Sequence, residues 1–225
     1  MSDKTLFITG ASSGIGAATA HAAADAGWNV ALFARNQQKL NALAEEIGND
    51  RALALPGDVT QYDDVAAAIE RAATHFQGLQ AVFANAGMGL DTPGVEQGDP
   101  EEWRRMMEVN VMGVLWTTRA AMPALRASKG HLVLTGSVAG KIHLPGSVYG
   151  ASKWFVHGFA GNMSKEMHEW GGRCTVIAPG MVDTPFFDEP KPDKLKPEDV
   201  AASVVHALDQ PRRADLRELV LMPNG

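Results

Sequence analysis

Apolar runs of four to seven residues alternate with stretches of helical periodicity along the whole chain. Leu6-Phe7-Ile8-Thr9 reads as the first strand, and 28–34, 52–55, 81–84, 131–135, 174–178 and 219–222 read as strands two to seven. Helices are predicted between them. The first spans about 15–26 and is stopped by Gly27. Asn36 caps the second, which runs to about Ile47 and ends at Gly48. Thr60 is expected to cap the third, with Asp63 and Asp64 in its first turn and a stripe of Val65, Ile69, Ala72 and Phe76 toward the sheet. Asp99-Pro100-Glu101-Glu102 supplies a cap, a proline at the first helical position and a capping-box glutamate. The helix it starts runs to about 126, with a bend near Gly113. Further helices are predicted over 148–170 and, opened by Pro197-Glu198-Asp199, over 197–208.

Strand–helix alternation with almost continuously apolar strands implies a parallel sheet covered by helices on both faces. Right-handed crossovers then give a doubly wound, seven-stranded α/β sheet in a single domain over 1–225. Ligands in such sheets bind beyond the carboxyl ends of the strands, where strand order reverses. The Pro- and Lys-rich segment 188–197 reads as surface, within a short substrate loop at about 181–197.

The first strand runs into Gly10-Ala11-Ser12-Ser13-Gly14-Ile15-Gly16. Gly10 permits a sharp turn, Gly14 lets backbone N–H groups approach a phosphate, and Gly16 lets the next helix pack closely. Ser12 and Ser13 add hydroxyls, and the helix that follows points its positive end at the loop. The spacing is G-x-x-x-G-x-G rather than G-x-G-x-x-G, so the loop alone is equally a plain strand-to-helix turn.

Composition narrows the classes. With 225 residues, 45% hydrophobic and 20% charged, the chain is an ordinary globular domain. A net charge of -6 without a basic run argues against nucleic acid. Cys174 is the sole cysteine, so neither an intramolecular disulfide nor a cysteine metal site can form. No apolar run reaches membrane-spanning length, and Met1-Ser2-Asp3-Lys4 leads directly into the first strand. A cytoplasmic protein without a membrane partner is expected. The seven histidines lack H-x-x-x-H spacing, so no metal is expected.

The chemistry-bearing candidates fall just after strands. Ala34-Arg35 follows strand two, where an acid would bind a ribose hydroxyl and an arginine suits a 2′-phosphate. NADP(H) is therefore expected, with NAD(H) as the alternative. Asp58, after strand three, is either an acceptor for an adenine amine or a turn aspartate. Asn85-Ala86-Gly87 follows strand four and Ser137 follows strand five. Asn110 lies inside the helix between them. Tyr149 and Lys153 are four apart on one helix face. A nearby ammonium lowers a tyrosine pKa by about one to three units, which makes a general acid–base. Pro179-Gly180-Met181-Val182-Asp183-Thr184 follows strand six.

Taken together these segments resemble the short-chain dehydrogenase/reductase family over nearly the whole length. Thr9 to Gly16 matches its T-G-x-x-x-G-x-G loop, and Asn85-Ala86-Gly87 its N-A-G element. Asn110, Ser137, Tyr149 and Lys153 match its Asn-Ser-Tyr-Lys tetrad, and Pro179, Gly180, Val182 and Thr184 its P-G-x-V-x-T segment. The resemblance implies a Rossmann-like fold and hydride transfer between a nicotinamide and a secondary alcohol or ketone. It implies that Tyr149 exchanges the proton and that Lys153 lowers the Tyr149 pKa and holds the ribose. Ser137 would orient the substrate oxygen, Asn110 would anchor a water leading to Lys153, and Thr184 would meet the nicotinamide carboxamide.

The segment after Gly180 is shorter than the lid common in this family, which suggests an open site for extended substrates. Met88, His143, Met181, Phe186 and Phe187 are candidates for an apolar substrate wall. Arg217-Glu218-Leu219-Val220-Leu221-Met222-Pro223 is similar to a branch of NADP-dependent 3-hydroxy acid dehydrogenases. A homodimer or homotetramer is implied, with Gly158 and Gly161 allowing close helix approach. The competing reading is a catalytically silent NAD(P)-binding sensor on the same fold.

Overall fold

The computed structural model describes residues 4–92 and 94–224. Met1, Ser2 and Asp3, read above as leading into the first strand, lie outside them, as do Pro93 and Gly225.

Alternation along each strand divides the interior into two layers. The strands are β1 (Lys4–Thr9), β2 (Trp28–Ala34), β3 (Ala52–Pro56), β4 (Ala81–Ala84), β5 (His131–Thr135), β6 (Arg173–Pro179) and β7 (Glu218–Leu221). They form one parallel sheet in the order β3-β2-β1-β4-β5-β6-β7. Phe7, Phe33, Val82, Leu132 and Val176 face one side. They pack against α3 (Tyr62–His75), α5 (Gly113–Ser128) and α6 (Val148–His168). Leu6, Ile8, Leu32, Phe83 and Ile177 face the other, against α1 (Gly14–Asp25), α2 (Gln37–Ile47) and α7 (Pro197–Leu208). Both faces are thus buried, as near-continuous apolar strands require. Each fully buried Leu or Phe contributes roughly 1.5–3 kcal/mol. Order reverses between β1 and β4, so their carboxyl ends open a crevice there.

Helix starts show where local signals are outcompeted. Asn36 caps α2 as expected, accepting from Lys39 N at 3.0 Å. Thr60 does not cap α3, which starts at Tyr62 after Gln61. Its amide and hydroxyl instead donate to Asp58 Oδ1 at 2.9 and 3.0 Å. The helix α4 (Pro100–Met107) is capped by Asp99, but Glu102 does not close a capping box. Its carboxylate turns inward and accepts from Asp91 N at 2.6 Å, pinning the loop after β4. The bend expected near Gly113 is a π turn over Glu108–Met112, which joins α4 to α5. Such turns interrupt the regular ladder and recur at functional sites. Among the described residues no helix is long and apolar enough to cross a membrane.

Candidate active site

Three strand ends are tied together at the crevice. The Thr9 hydroxyl accepts from Asn85 N and Ala86 N, each at 3.0 Å. Asn85 returns the contact by donating its Nδ2 to Thr9 O at 3.1 Å, while its Oδ1 accepts from Thr135 Oγ1 at 3.1 Å. Over this base the glycine loop folds back on itself. Gly10 has φ +67, and a Cβ there would lie 3.0 Å from Ala86 Cα. A Cβ at Gly16 would overlap the Gly10 carbonyl oxygen, so the glycine packs α1 against the loop itself. Gly14 has φ +52 and faces Thr184. Ile15 packs on the core below.

This loop fits a pyrophosphate. It ends at the amino terminus of α1, where backbone N–H groups have no intrahelical acceptor. Ser13, in the cap position, makes no side-chain capping bond and is exposed, with Ser12 half-buried beside it. Ala34 and exposed Arg35 follow at the end of β2. Asp58 takes the form of a turn aspartate, its Oδ1 occupied by Thr60.

The four tetrad positions come from three elements, with Tyr149 and Lys153 both on α6. Asn110, 1% exposed on the π turn, accepts from Met88 N at 2.9 Å and donates to Met88 O at 3.0 Å. The same Nδ2 donates to Ser152 Oγ at 3.2 Å, and that hydroxyl donates to Tyr149 O at 2.7 Å. The Asn110 amide thereby couples the loop after β4 to the first turn of α6. Gly87 sits between: a Cβ there would lie 3.4 Å from Asn110 Oδ1 and 3.7 Å from Lys153 Nζ. Lys153, 5% exposed, donates to Thr135 O at 2.9 Å and lies 5.8 Å from the centre of the Tyr149 ring. Ser137 caps the 3₁₀ turn Val138–Gly140, with its Oγ accepting from Ala139 N at 3.1 Å.

The electrostatics depart from the sequence expectation. Burial pushes the Lys153 pKa down to about 8. Burial raises the Tyr149 pKa, and the Ser137 hydroxyl pulls it partly back. The expected lowering of Tyr149 by Lys153 is not what the protein alone provides. Desolvation disfavours the charged forms of both groups, and the ammonium is committed to the Thr135 carbonyl.

The segment after β6 is short and is pinned at its base. Val182 bridges Leu195, Asp183 N donates to Leu195 O at 2.7 Å, and Lys196 Nζ meets Asp183 Oδ2 at 2.8 Å. Across that pinned base the Phe186 ring lies 5.7 Å from the Tyr149 ring and stacks edge-on with Phe187 at 5.2 Å. Phe186 also fills the space beside Gly89. Phe186 itself remains 42% exposed. Of the expected substrate wall, Phe186 lies against Tyr149, Phe187 lies against Phe186, and Met88 is held to Asn110 through its backbone. Met181 is 51% exposed. His143 stacks on Trp154 at 5.4 Å on the outer surface of α6 rather than joining Phe186 at Tyr149.

Several contributors were not singled out from sequence. Thr9 and Ser152 lie inside recognised motifs, and only their partners reveal their work. His157 follows Lys153 by one helical turn, on the Tyr149 side of α6, and that spacing was the available signal. Its Nε2 lies 3.0 Å from Ser137 O and its Nδ1 2.9 Å from Glu218 Oε1.

A glycine loop that fits a pyrophosphate and a tyrosine–lysine pair, on one doubly wound sheet, are the features of a nicotinamide-dependent oxidoreductase. Comparison with known proteins gives the family. The model of the short chain dehydrogenase family matches residues 4–195. An uncharacterised oxidoreductase of Staphylococcus aureus is 36% identical over 228 residues, spanning 99% of this chain and 98% of its own. An alcohol dehydrogenase from the archaeon Thermococcus sibiricus, solved with 5-hydroxy-NADP, superposes with a TM-score of 0.90 at 30% identity, covering 98% of this chain and 96% of that one. Escherichia coli serine dehydrogenase superposes with a TM-score of 0.88 at 28% identity, over 97% of each chain. A 3-ketoacyl-(acyl-carrier-protein) reductase from Brucella melitensis, solved with NADH, gives 0.90 at 28%, over 98% of this chain and 97% of that one. The chain belongs to the short-chain dehydrogenase/reductase family and is an oxidoreductase that uses a nicotinamide cofactor.

Proposed function

We propose that the protein is an NADP-preferring oxidoreductase that interconverts a secondary alcohol and a ketone, hydroxy acids among the substrates. The observation that carries this reading is that Asn110 and Lys153 meet at Gly87, with the Tyr149 ring 5.8 Å from the Lys153 ammonium and the Ser137 hydroxyl acting on Tyr149. When bound, the nicotinamide supplies or accepts the hydride. The chain's own residues do the rest.

In reduction, Tyr149 donates its hydroxyl proton to the carbonyl oxygen as negative charge develops there. Its raised pKa favours the protonated, donating form at neutral pH. Ser137 orients that oxygen with a hydrogen bond. Lys153 holds the nicotinamide ribose and, as an ammonium, stabilises the phenolate that remains. Asn110 keeps the Met88 backbone and α6 in register and anchors a water toward Lys153. Gly10, Gly14, Gly16, Ser12 and Ser13 hold the pyrophosphate, with Ile15, Asn85, Ala86 and Gly87 shaping its floor. Pro179, Gly180, Val182 and Thr184 line the nicotinamide side, with Thr184 meeting the carboxamide. Phe186, Phe187 and Met88 form an apolar wall for the substrate, within the loop 181–197 of the single domain.

Arg35 supports NADP(H) over NAD(H), because its planar fork matches a 2′-phosphate and small Ala34 leaves room for one. Binding titrations should give a lower Kd for NADPH than for NADH. Arg35→Ala should raise the NADPH Kd about tenfold or more while leaving NADH unchanged. Tighter NADH binding, indifferent to that substitution, contradicts the preference.

The outer face of α6 supports a homodimer or homotetramer. A Cβ at Gly158 or Gly161 would meet nothing within 4 Å, which leaves room for a second helix, and Trp154 beside them is 44% exposed. A monomeric mass in solution contradicts this. A small-molecule substrate and a cytoplasmic setting complete the reading.

A further inference from the structure

Ser137 is held by more than its own turn. Its carbonyl accepts from Gly140 N at 3.0 Å and faces His157 Nε2 at 3.0 Å. Its amide points at the same ring nitrogen from 3.5 Å. On the other side of the ring, Nδ1 lies 2.9 Å from Glu218 Oε1. Glu218 Oε2 in turn lies 2.6 Å from Lys141 Nζ. The imidazole is mostly buried, its side chain 14% exposed. It packs into a notch that two glycines leave for it. A Cβ at Gly136 would lie 2.8 Å from Nε2, and one at Gly140 would lie 2.7 Å from Cδ2. These two glycines bracket Ser137.

We propose that His157, anchored by Glu218 of β7, is a positioning residue that sets Ser137 through its main chain. The proposal rests on Ser137 binding the substrate oxygen as proposed above. A carboxylate and a carbonyl accept only, so a ring that bonds to both at about 3 Å uses both nitrogens as donors. The doubly protonated ring therefore grips the Ser137 carbonyl. Once Nε2 loses its proton, its lone pair faces that carbonyl oxygen unfavourably and suits the Ser137 amide instead. The 3₁₀ turn that aims Oγ then changes its support. The charged groups around the ring are Glu218 from β7, against Nδ1, and Lys141 after the 3₁₀ turn, held on the other oxygen of that carboxylate. Lys141 is partly neutralised by the same carboxylate.

The test is the pH dependence of carbonyl reduction in four variants. His157→Leu should lower kcat on the order of ten- to a hundredfold, because a reacting group is mis-set, with the NADPH Kd unchanged. His157→Gln places an untitratable N–H close to the Nε2 position. It should restore most of kcat and remove a fall in rate that the wild type shows as pH rises. Glu218→Gln should lower kcat in the same direction as His157→Leu, because the ring loses the carboxylate that anchors Nδ1. Tyr149→Phe is the control for the underlying reading. If Tyr149→Phe is inactive while His157→Leu keeps wild-type kcat and pH profile, the positioning role is overturned alone. If His157→Leu does not fold, a wild-type pH profile in His157→Gln overturns it equally. A fully active Tyr149→Phe instead overturns the proposed chemistry, whatever His157 does.

Discussion

Tyr149 and Lys153 are both buried enough to resist ionisation, and that sets the direction the site favours without further input. Lys153 loses its proton at about pH 8, and Tyr149 holds its own above the ordinary tyrosine range. A protonated tyrosine is the form that carbonyl reduction consumes, whereas alcohol oxidation needs the phenolate. Reduction should therefore proceed at neutral pH and below, while oxidation should rise steeply as pH increases. Initial rates in both directions across pH check this, and an oxidation rate that is flat with pH contradicts it. The tetrad was legible in the sequence because its spacing is fixed within motifs. Its electrostatics were not, since desolvation depends on how tightly neighbouring elements close around the pair. Glu102 and His157 show the same limit. Their partners, Asp91 and Glu218, are brought close only by tertiary structure.

Elements are most legible where the apolar pattern and the terminal signals agree. The strand over 28–34 and the helix over 197–208 were read with the bounds observed, because apolar pattern and caps agreed. Thr60 misled because Asp58 offers its amide and hydroxyl a closer acceptor than the helix does. The π turn at 108–112 was visible only as a bend, since nothing in local propensity marks a widened turn. The glycine loop gives the sharpest test at this scale. Gly16→Ala would drive a methyl into the Gly10 carbonyl and toward Asn85 Nδ2, 2.9 Å from the new carbon. Overpacking of this kind costs roughly 1–3 kcal/mol. The substitution should lower the Tm and raise the NADPH Kd at least tenfold, measured by thermal melts and titration. Wild-type affinity in that variant would show that the loop does not shape the nucleotide site.

The whole molecule separates stability from chemistry along the strands. The candidate site lies at the carboxyl ends, and His131 is buried at the amino end of β5. Thr175 Oγ1 donates to Leu216 O, so His131 Nε2–H donates to Thr175 Oγ1 at 2.7 Å and Nδ1 is left without a partner. Burial and nearby Arg173 hold this imidazole at about 3 instead of 6.5. The unfolded chain binds the extra proton between those values, so stability falls as pH drops through that window. Above about 6.5 both states are neutral at this residue and its effect vanishes. Urea midpoints should decline more steeply with acidification in the wild type than in His131→Gln, and equal slopes contradict this. The doubly wound sheet was readable from alternation and handedness alone. The fastening of the 181–197 segment beside Tyr149 was not, because loop length says nothing of the Asp183–Lys196 pin or the Phe186 contact.

Hydride transfer assisted by Tyr149 is followed most directly with NADPH deuterated at the nicotinamide C4 and a panel of ketones and keto acids. The wild type should place deuterium on the new carbinol carbon of at least one product. Tyr149→Phe should bind NADPH equally well yet transfer label at least a hundredfold more slowly, the scale on which a lost general acid is felt. Label transfer at the wild-type rate by Tyr149→Phe would contradict the assignment, as would tight NADPH binding by the wild type with no transfer to any carbonyl.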